Sequence, residues 1–299
     1  MKRTLQEVEA FLGVAGLVIA GHAAMSCMNA FARIGVVHSN AGAVASIRFG
    51  VAAIILWTIW KSRGQSLPKG ALLKVHLVRG CLIALGATCY FQAMSLMPLA
   101  QATALTFMAP ILAQPLGALR LGERPNHPEA IALALGSIGV AITAWPAFMK
   151  GEAATSGLIW LAVGVIATAT HMVLLRERAG RDGAVTTAML ASAIPAAASS
   201  PFALTITWAA LAPAVVAGVC GALGMTLAAM AAAKGTLART SMLEFTKLPL
   251  AALMGWLTVG EVPAPSTVVG GLVALAACHV AKGRKSNPGA TTTSRAVPA

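Results

Sequence analysis

What this chain has least of is charge, and acid above all. Charged residues make up 10% of its 299 residues, where a soluble domain carries ~25%. Nine residues are Asp or Glu, with Asp182 the one aspartate and Tyr90 the one tyrosine. Too few polar side chains remain to cover a water-facing surface of this size. A single aspartate excludes the paired aspartates of intramembrane proteolysis or metal chemistry. Neither HExxH nor GxSxG occurs, which removes the hydrolases that carry them, and no Walker-type phosphate loop is present for direct use of ATP. The five cysteines (Cys27, Cys81, Cys89, Cys220, Cys278) lie in apolar runs, without CxxC or histidine at metal-ligand spacing. They are expected to be small buried hydrophobes, and no metal or cofactor is expected.

In place of polarity there are long apolar runs: 58% of residues are hydrophobic and the mean hydropathy is +0.78. Segments long enough to cross a bilayer fall at 11–32, 41–60, 76–96, 99–120, 129–148, 156–175, 185–203, 211–232, 237–258 and 266–281. The expected fold class is therefore an all-α integral membrane protein with ten transmembrane helices. Lys2 and Arg3, followed by an apolar run and small residues at Ala23 and Ala24, resemble a secretory signal. Because the apolar run continues through Ala32, the segment is expected to remain as the first span. Pro195 inside the seventh span predicts a kink.

The net charge of +13 invites a nucleic-acid reading, and the placement of the charges excludes it. With a cytoplasmic amino terminus, only Arg33 and Lys150 fall outside and only Arg48 and Lys247 fall within spans. The rest of the 22 basic residues lie on or near the cytoplasmic side, as the positive-inside rule requires. The expected location is the inner membrane, multi-pass, with both termini cytoplasmic. Arg79 is expected to snorkel to the headgroups. The tail 286–299, rich in Thr, Ser and Pro, is expected to be disordered.

A shift of 138 residues, the distance from Glu123 to Glu261, superposes the chain on itself. Leu99-Ala100 falls on Leu237-Ala238, Thr103 on Ser241, Leu105 on Leu243, Phe107 on Phe245, Gly122-Glu123 on Gly260-Glu261 and Pro125 on Pro263. Spans four and nine are copies, so the chain divides into five-helix halves, 1–150 and 151–285. An odd number of spans per half inverts one half against the other, a recurring design of secondary transporters. Under the same shift Thr106 matches Glu244 and Ala109 matches Lys247, so the charge is confined to one copy.

Leu99-Ala-Gln-Ala-Thr-Ala-Leu-Thr-Phe-Met-Ala-Pro110 with Leu121-Gly-Glu-Arg124 closely resembles the fourth helix of EamA-type members of the drug/metabolite transporter superfamily. Pro249-Leu-Ala-Ala-Leu-Met-Gly-Trp-Leu-Thr-Val-Gly-Glu-Val-Pro263 resembles their ninth. The resemblance implies ten helices, cytoplasmic termini and a central cavity lined mainly by helices one, three, four, six, eight and nine. It leaves the substrate open.

Charge at the centre of a spanning helix costs ~2.5–3.5 kcal/mol on insertion scales and so tends to mark a site. Thr240, Glu244, Lys247 and Ala251 share one face of span nine at steps of four, three and four. Glu244 is suited to a substrate cation or a coupling proton and Lys247 to a carboxylate, unless the two form a self-neutralised pair. His22, Ser26, Asn29 and Arg33 make a similar stripe on span one. His22 is suited to proton transfer, although a lone histidine is more often structural. Thr103, Thr106, Pro110 and Gln114 share a face of span four, with Pro110, like Pro195, a candidate hinge. Thr168 and His171 on span six, Arg48 on span two and Tyr90 on span three complete the candidate cavity wall, and Gln92 and Met225 are further wall candidates. Glu123 and Glu261 are read as helix-end structure.

The expected function is a secondary active transporter, with export favoured, for a small polar or zwitterionic metabolite such as an amino acid. It would work by alternating access, with protons as a candidate coupling ion and the chain as monomer or homodimer. The alternatives are uptake of a nucleoside-like metabolite or vitamin, a non-transporting membrane subunit packed through Gly136 and Gly139 or Gly270 and Gly271, and an intramembrane enzyme. The polar stripes and the missing motifs weigh against the last two.

Overall fold

The structure, a computed structural model, describes residues 2–96, 105–123, 125–149, 155–259 and 265–282. Thr103, Gly260-Glu261 and the 286–299 tail lie outside these residues. The described helices are α1 (Lys2–His38), α2 (Ala41–Ser62), α3 (Ala71–Leu96), α4 (Met108–Leu121), α5 (His127–Met149), α6 (Thr155–Asp182), α7 (Ala184–Ser199), α8 (Trp208–Lys234), α9 (Leu237–Leu243), α10 (Lys247–Val259) and α11 (Pro265–Lys282). Two 3-10 segments, Ser200–Thr205 and Glu244–Thr246, follow α7 and α9. No strand occurs among the described residues.

Local sequence explains where the helices begin and end. Asn40 caps α2 by accepting from the Ala43 amide at 2.8 Å. Asn126 and Glu129 each accept the other's backbone N–H at 3.0 Å at the start of α5, a reciprocal capping box. Gly122 ends α4 at φ 69°, a left-handed position that favours glycine. Glu123 beside it accepts the Leu237 amide at 2.8 Å and so satisfies the first turn of α9. The Gly-Glu motif is thus a stop for one helix and a cap for another.

The outer surface of the bundle is apolar. Leu119 is 86% exposed and Leu204 95%, exposures that water penalises and lipid does not. Trp57, Trp145, Trp160, Trp208 and Trp256 are all exposed near helix ends, where bilayer interfaces accommodate indoles. Among the described residues six segments are long and apolar enough to cross a membrane: Gly13–His38, Ala41–Ser62, Leu72–Tyr90, Ser156–Asp182, Ala184–Thr205 and Trp208–Lys234. The protein is a multi-pass membrane protein.

Inside, the helices meet through small residues. α1 lies along α8, α2 along α7 and α8, α3 along α6 and α7, α4 along α6, and α5 along α11. Ala210, Ala214, Ala217, Gly218, Gly221 and Gly224 are buried on α8. They let backbones approach closely where no hydrophobic effect draws helices together. A methyl on Gly218 would stand 2.8 Å from the Arg48 carbonyl oxygen.

The structure corrects three sequence expectations. The ninth span is interrupted: the 3-10 turn at 244–246 separates α9 from α10, so its polar residues do not share one uninterrupted α-helical face. Arg79 does not snorkel. It is 1% exposed and donates to the Thr187 carbonyl on α7, because α3 packs against α7 and brings that backbone acceptor within reach. Asp182 is the last residue of α6, where it accepts from Arg178 at 2.6 and 2.7 Å and meets His76 at 2.8 Å. Cys81 is exposed on α3, whereas Cys89 is buried and Cys27 and Cys220 approach to 3.5 Å across α1 and α8. Pro195 is buried inside α7, which continues to Ser199 before the 3-10 segment.

Candidate functional site

The polar chemistry collects where α9 gives way to α10. Thr236 starts α9 by accepting from the Arg239 amide. Thirteen residues later Pro249 supplies no N–H for the Phe245 carbonyl, and its ring crowds that oxygen. The backbone responds with the 3-10 turn Glu244–Thr246, in which the Lys247 amide bonds the Glu244 and Phe245 carbonyls. Three residues per turn bring positions i and i+3 into line, so Lys247 stands over Glu244 and the two pair directly.

The pair continues into α1. The other Glu244 oxygen, Oε1, lies 3.4 Å from His22 Nε2, and His22 Nδ1 lies 2.8 Å from Thr246 Oγ1. The Thr246 hydroxyl donates to the Leu243 carbonyl at 2.8 Å. A hydroxyl has one proton to give, so Nδ1 is the donor in the bond to Thr246. Nε2 then faces a carboxylate oxygen, an arrangement in which a proton can be held by the histidine or by the acid. Lys247, Glu244, His22 and Thr246 thus form a linear relay across three elements, with His22 5% exposed.

Beside the relay is a cavity of about 250 Å³. Its walls are Met25, Ser26 and Asn29 of α1; Gly86, Ala87 and Tyr90 of α3; Thr106 and Phe107 before α4; Leu161, Gly164, Val165 and Thr168 of α6; and Lys247. Lys247 is the one charged residue on this wall among the described residues. A larger groove, about 410 Å³, lies between α4 and α6 along Leu116, Leu119, Val173 and Leu174. Its apolar walls make it lipid-facing surface, apart from this chemistry.

Of the residues singled out from sequence, Ser26, Asn29, Tyr90, Thr106 and Lys247 meet on this cavity, with His22 and Glu244 behind Lys247. Others do not reach it. Gln114 donates to the Pro110 carbonyl one turn back at 3.2 Å, and Thr240 bonds the Thr236 and Leu237 carbonyls at 3.1 Å. Arg48 donates to Met28 Sδ at 3.2 Å and lies 3.8 Å from the Phe49 ring centroid. His171 is half-buried off the cavity wall, its buried Nδ1 without a hydrogen-bond partner among the described residues. Pro110 is buried in the first turn of α4, three residues after Phe107, which sits in a turn. Sequence reasoning missed Thr246, which fixes His22, and Pro249 as the cause of the break.

The cavity occupies the end of the bundle where α1 and α3 finish and α6 begins. The opposite end is tied by ion pairs. There, besides the Asp182 cluster, Arg176 pairs with Glu123 at 2.8 Å and donates to the Ala232 carbonyl at 3.1 Å. Arg120 pairs with Glu177 at 2.6 Å.

Comparisons with known proteins agree with this architecture. Residues 12–145 match the EamA-like transporter family. The pseudopaline exporter CntI of Pseudomonas aeruginosa is 24% identical over 261 residues, 85% of this chain and 90% of its own. The S-adenosylmethionine uptake transporter of Rickettsia bellii is 23% identical over 238 residues, 78% of this chain and 81% of its own. A crystal structure at 16% identity superposes with a TM-score of 0.73, covering 89% of this chain and 96% of its own, and shows a shared fold. This match over residues 12–145 and these relatives support a place for the chain in the EamA-type drug/metabolite transporter superfamily.

Proposed function

We propose that the protein is a secondary active transporter of the inner membrane that exports a small polar or zwitterionic metabolite by alternating access. The observation that carries this reading is the cavity between α1, α3, α6 and the α9–α10 break, with Ser26, Asn29, Thr106 and Lys247 on its wall. A pocket of about 250 Å³ is smaller than usual drug-sized sites and suits a ligand of amino-acid size. Uptake is the second reading, favoured by the S-adenosylmethionine uptake relative as export is by the pseudopaline exporter.

The halves 1–150 and 151–285 form an inverted ten-helix repeat in this reading, and the packing supports it. The pairs α1–α8, α2–α8 and α1–α10 have counterparts in α3–α6, α3–α7 and α4–α6, while α2–α7 and α5–α11 map onto themselves. The turn at Phe107 corresponds to the 3-10 turn at 244–246, each followed by a proline, and the Phe107 and Phe245 rings stack with centroids 6.1 Å apart. Interrupted helices at a midplane site are a transporter device. With cytoplasmic termini, the cavity lies in the outer half and the Asp182 and Glu123 ion pairs close the inner half, an outward-facing arrangement.

The proton between His22 and Glu244 is the coupling proton. Lys247 and His22 are the charged or titratable groups that act directly on Glu244, which in turn acts on His171 of α6. In proteoliposomes, wild-type flux is expected to accelerate under an imposed pH gradient. Glu244→Gln is expected to exchange substrate without that response. A Glu244→Gln protein that exchanges and still responds normally to the gradient removes Glu244 from coupling.

A further inference from the structure

Resting on the transport reading above, the geometry points to a substrate that carries a free carboxylate, which takes Lys247 from Glu244 on binding. Lys247 lines the cavity and Glu244 does not, so a bound ligand meets a cation and no acid among the described wall residues. The Lys247 side chain keeps 39% of its surface while Glu244 keeps 21% and His22 7%. The ammonium is therefore the accessible end of the relay. The remaining polar wall consists of Ser26, Asn29, Tyr90, Thr106 and Thr168, groups suited to a carboxylate's second oxygen or to neutral polar atoms.

Displacement is feasible because Glu244 has a second partner. When the ligand's carboxylate occupies Lys247, Glu244 keeps His22 at 3.4 Å, and Thr246 holds the imidazole in place from the other side. A buried acid without that reserve would be stranded, at a large cost. A cationic ligand has the opposite problem: it would stand against Lys247 with its nearest acid behind that residue. Glu244 thus occupies on Lys247 the place that the ligand's carboxylate takes.

The test uses the full chain in proteoliposomes loaded with an equimolar mixture of common amino acids, their amides and the corresponding decarboxylated amines. Loss of each compound is followed by mass spectrometry. The free acids that leave are expected to do so roughly tenfold or more faster than the matched amides and amines. Lys247→Met is expected to abolish that preference, and Lys247→Arg to keep the order of acids over amides at reduced rate. Thermal melting checks that both variants are folded. Amides or amines leaving as fast as the acids, or an unchanged preference in folded Lys247→Met, overturns the carboxylate assignment and leaves transport standing. If no compound leaves wild-type proteoliposomes faster than protein-free ones, the transport reading for this class falls, and the carboxylate inference with it.

Discussion

Replacing Asp182 with Ala is expected to destabilise the protein by about 3–5 kcal/mol, the usual result of removing one partner from a buried ion pair. Arg178 holds both carboxylate oxygens at 2.6 and 2.7 Å with its own side chain 4% exposed, and His76, with its side chain fully buried, takes a third contact at 2.8 Å. Histidine can shed its charge when left alone, but a guanidinium cannot. The cost therefore centres on Arg178, and the double variant Asp182→Ala/Arg178→Met is expected to recover much of the loss. Thermal melting of the purified protein in detergent reads both. A single variant within about 1 kcal/mol of wild type would mean that water already reaches Arg178. Because this cluster ties α3 to α6 and α6 borders the cavity, the folded fraction is also expected to lose transport, by releasing the closed end of the bundle.

The contrast between Asp182 and Glu244 explains what was legible in the sequence. Composition and the spacing of apolar runs fix a helical membrane chain, since lipid demands satisfied backbones and apolar exteriors. The repeat between Leu99-Ala100 and Leu237-Ala238, extended to the Gly-Glu pairs, exposed the special position of span nine. Of the residues picked out helix by helix, Ser26, Asn29, Tyr90, Thr106 and Lys247 line one cavity. A stripe cannot say which helix stands opposite. For that reason Arg48 looked like a substrate ligand, yet it meets Met28 and Phe49, and Arg79 looked like a snorkelling residue, yet it meets the Thr187 carbonyl. The break at 244–246 had a local signal in Pro249. A regular helical face was assumed across it, although proline frees the carbonyl four residues back. The bond between Thr246 and His22 spans 224 positions in sequence and has no local signature at all.

Gly136→Ala is expected to impair both stability and flux through one collision. A Cβ on Gly136 would stand 2.3 Å from two ring carbons of Phe245. That ring is fully buried and stacked on Phe107 at an interplanar angle of 20°, so it has no flexible end to swing aside. Either α5 retreats or the turn Glu244–Thr246 moves, and overpacking of this kind costs about 1–3 kcal/mol. The turn is the softer element, since it already lacks regular α-helical bonds where Pro249 interrupts them. Its displacement would lengthen the 2.8 Å contact between Thr246 and His22 and shift Glu244 relative to Lys247. The expected outcome is a lower melting temperature together with a loss of flux larger than the folded fraction explains. Adding Phe245→Leu, which removes ring atoms from the collision, is expected to restore melting more than flux, because the stack on Phe107 stays broken. If Gly136→Ala melts and transports as wild type does, Phe245 has room to move, and the close approach of α5 plays no part in positioning the charged turn.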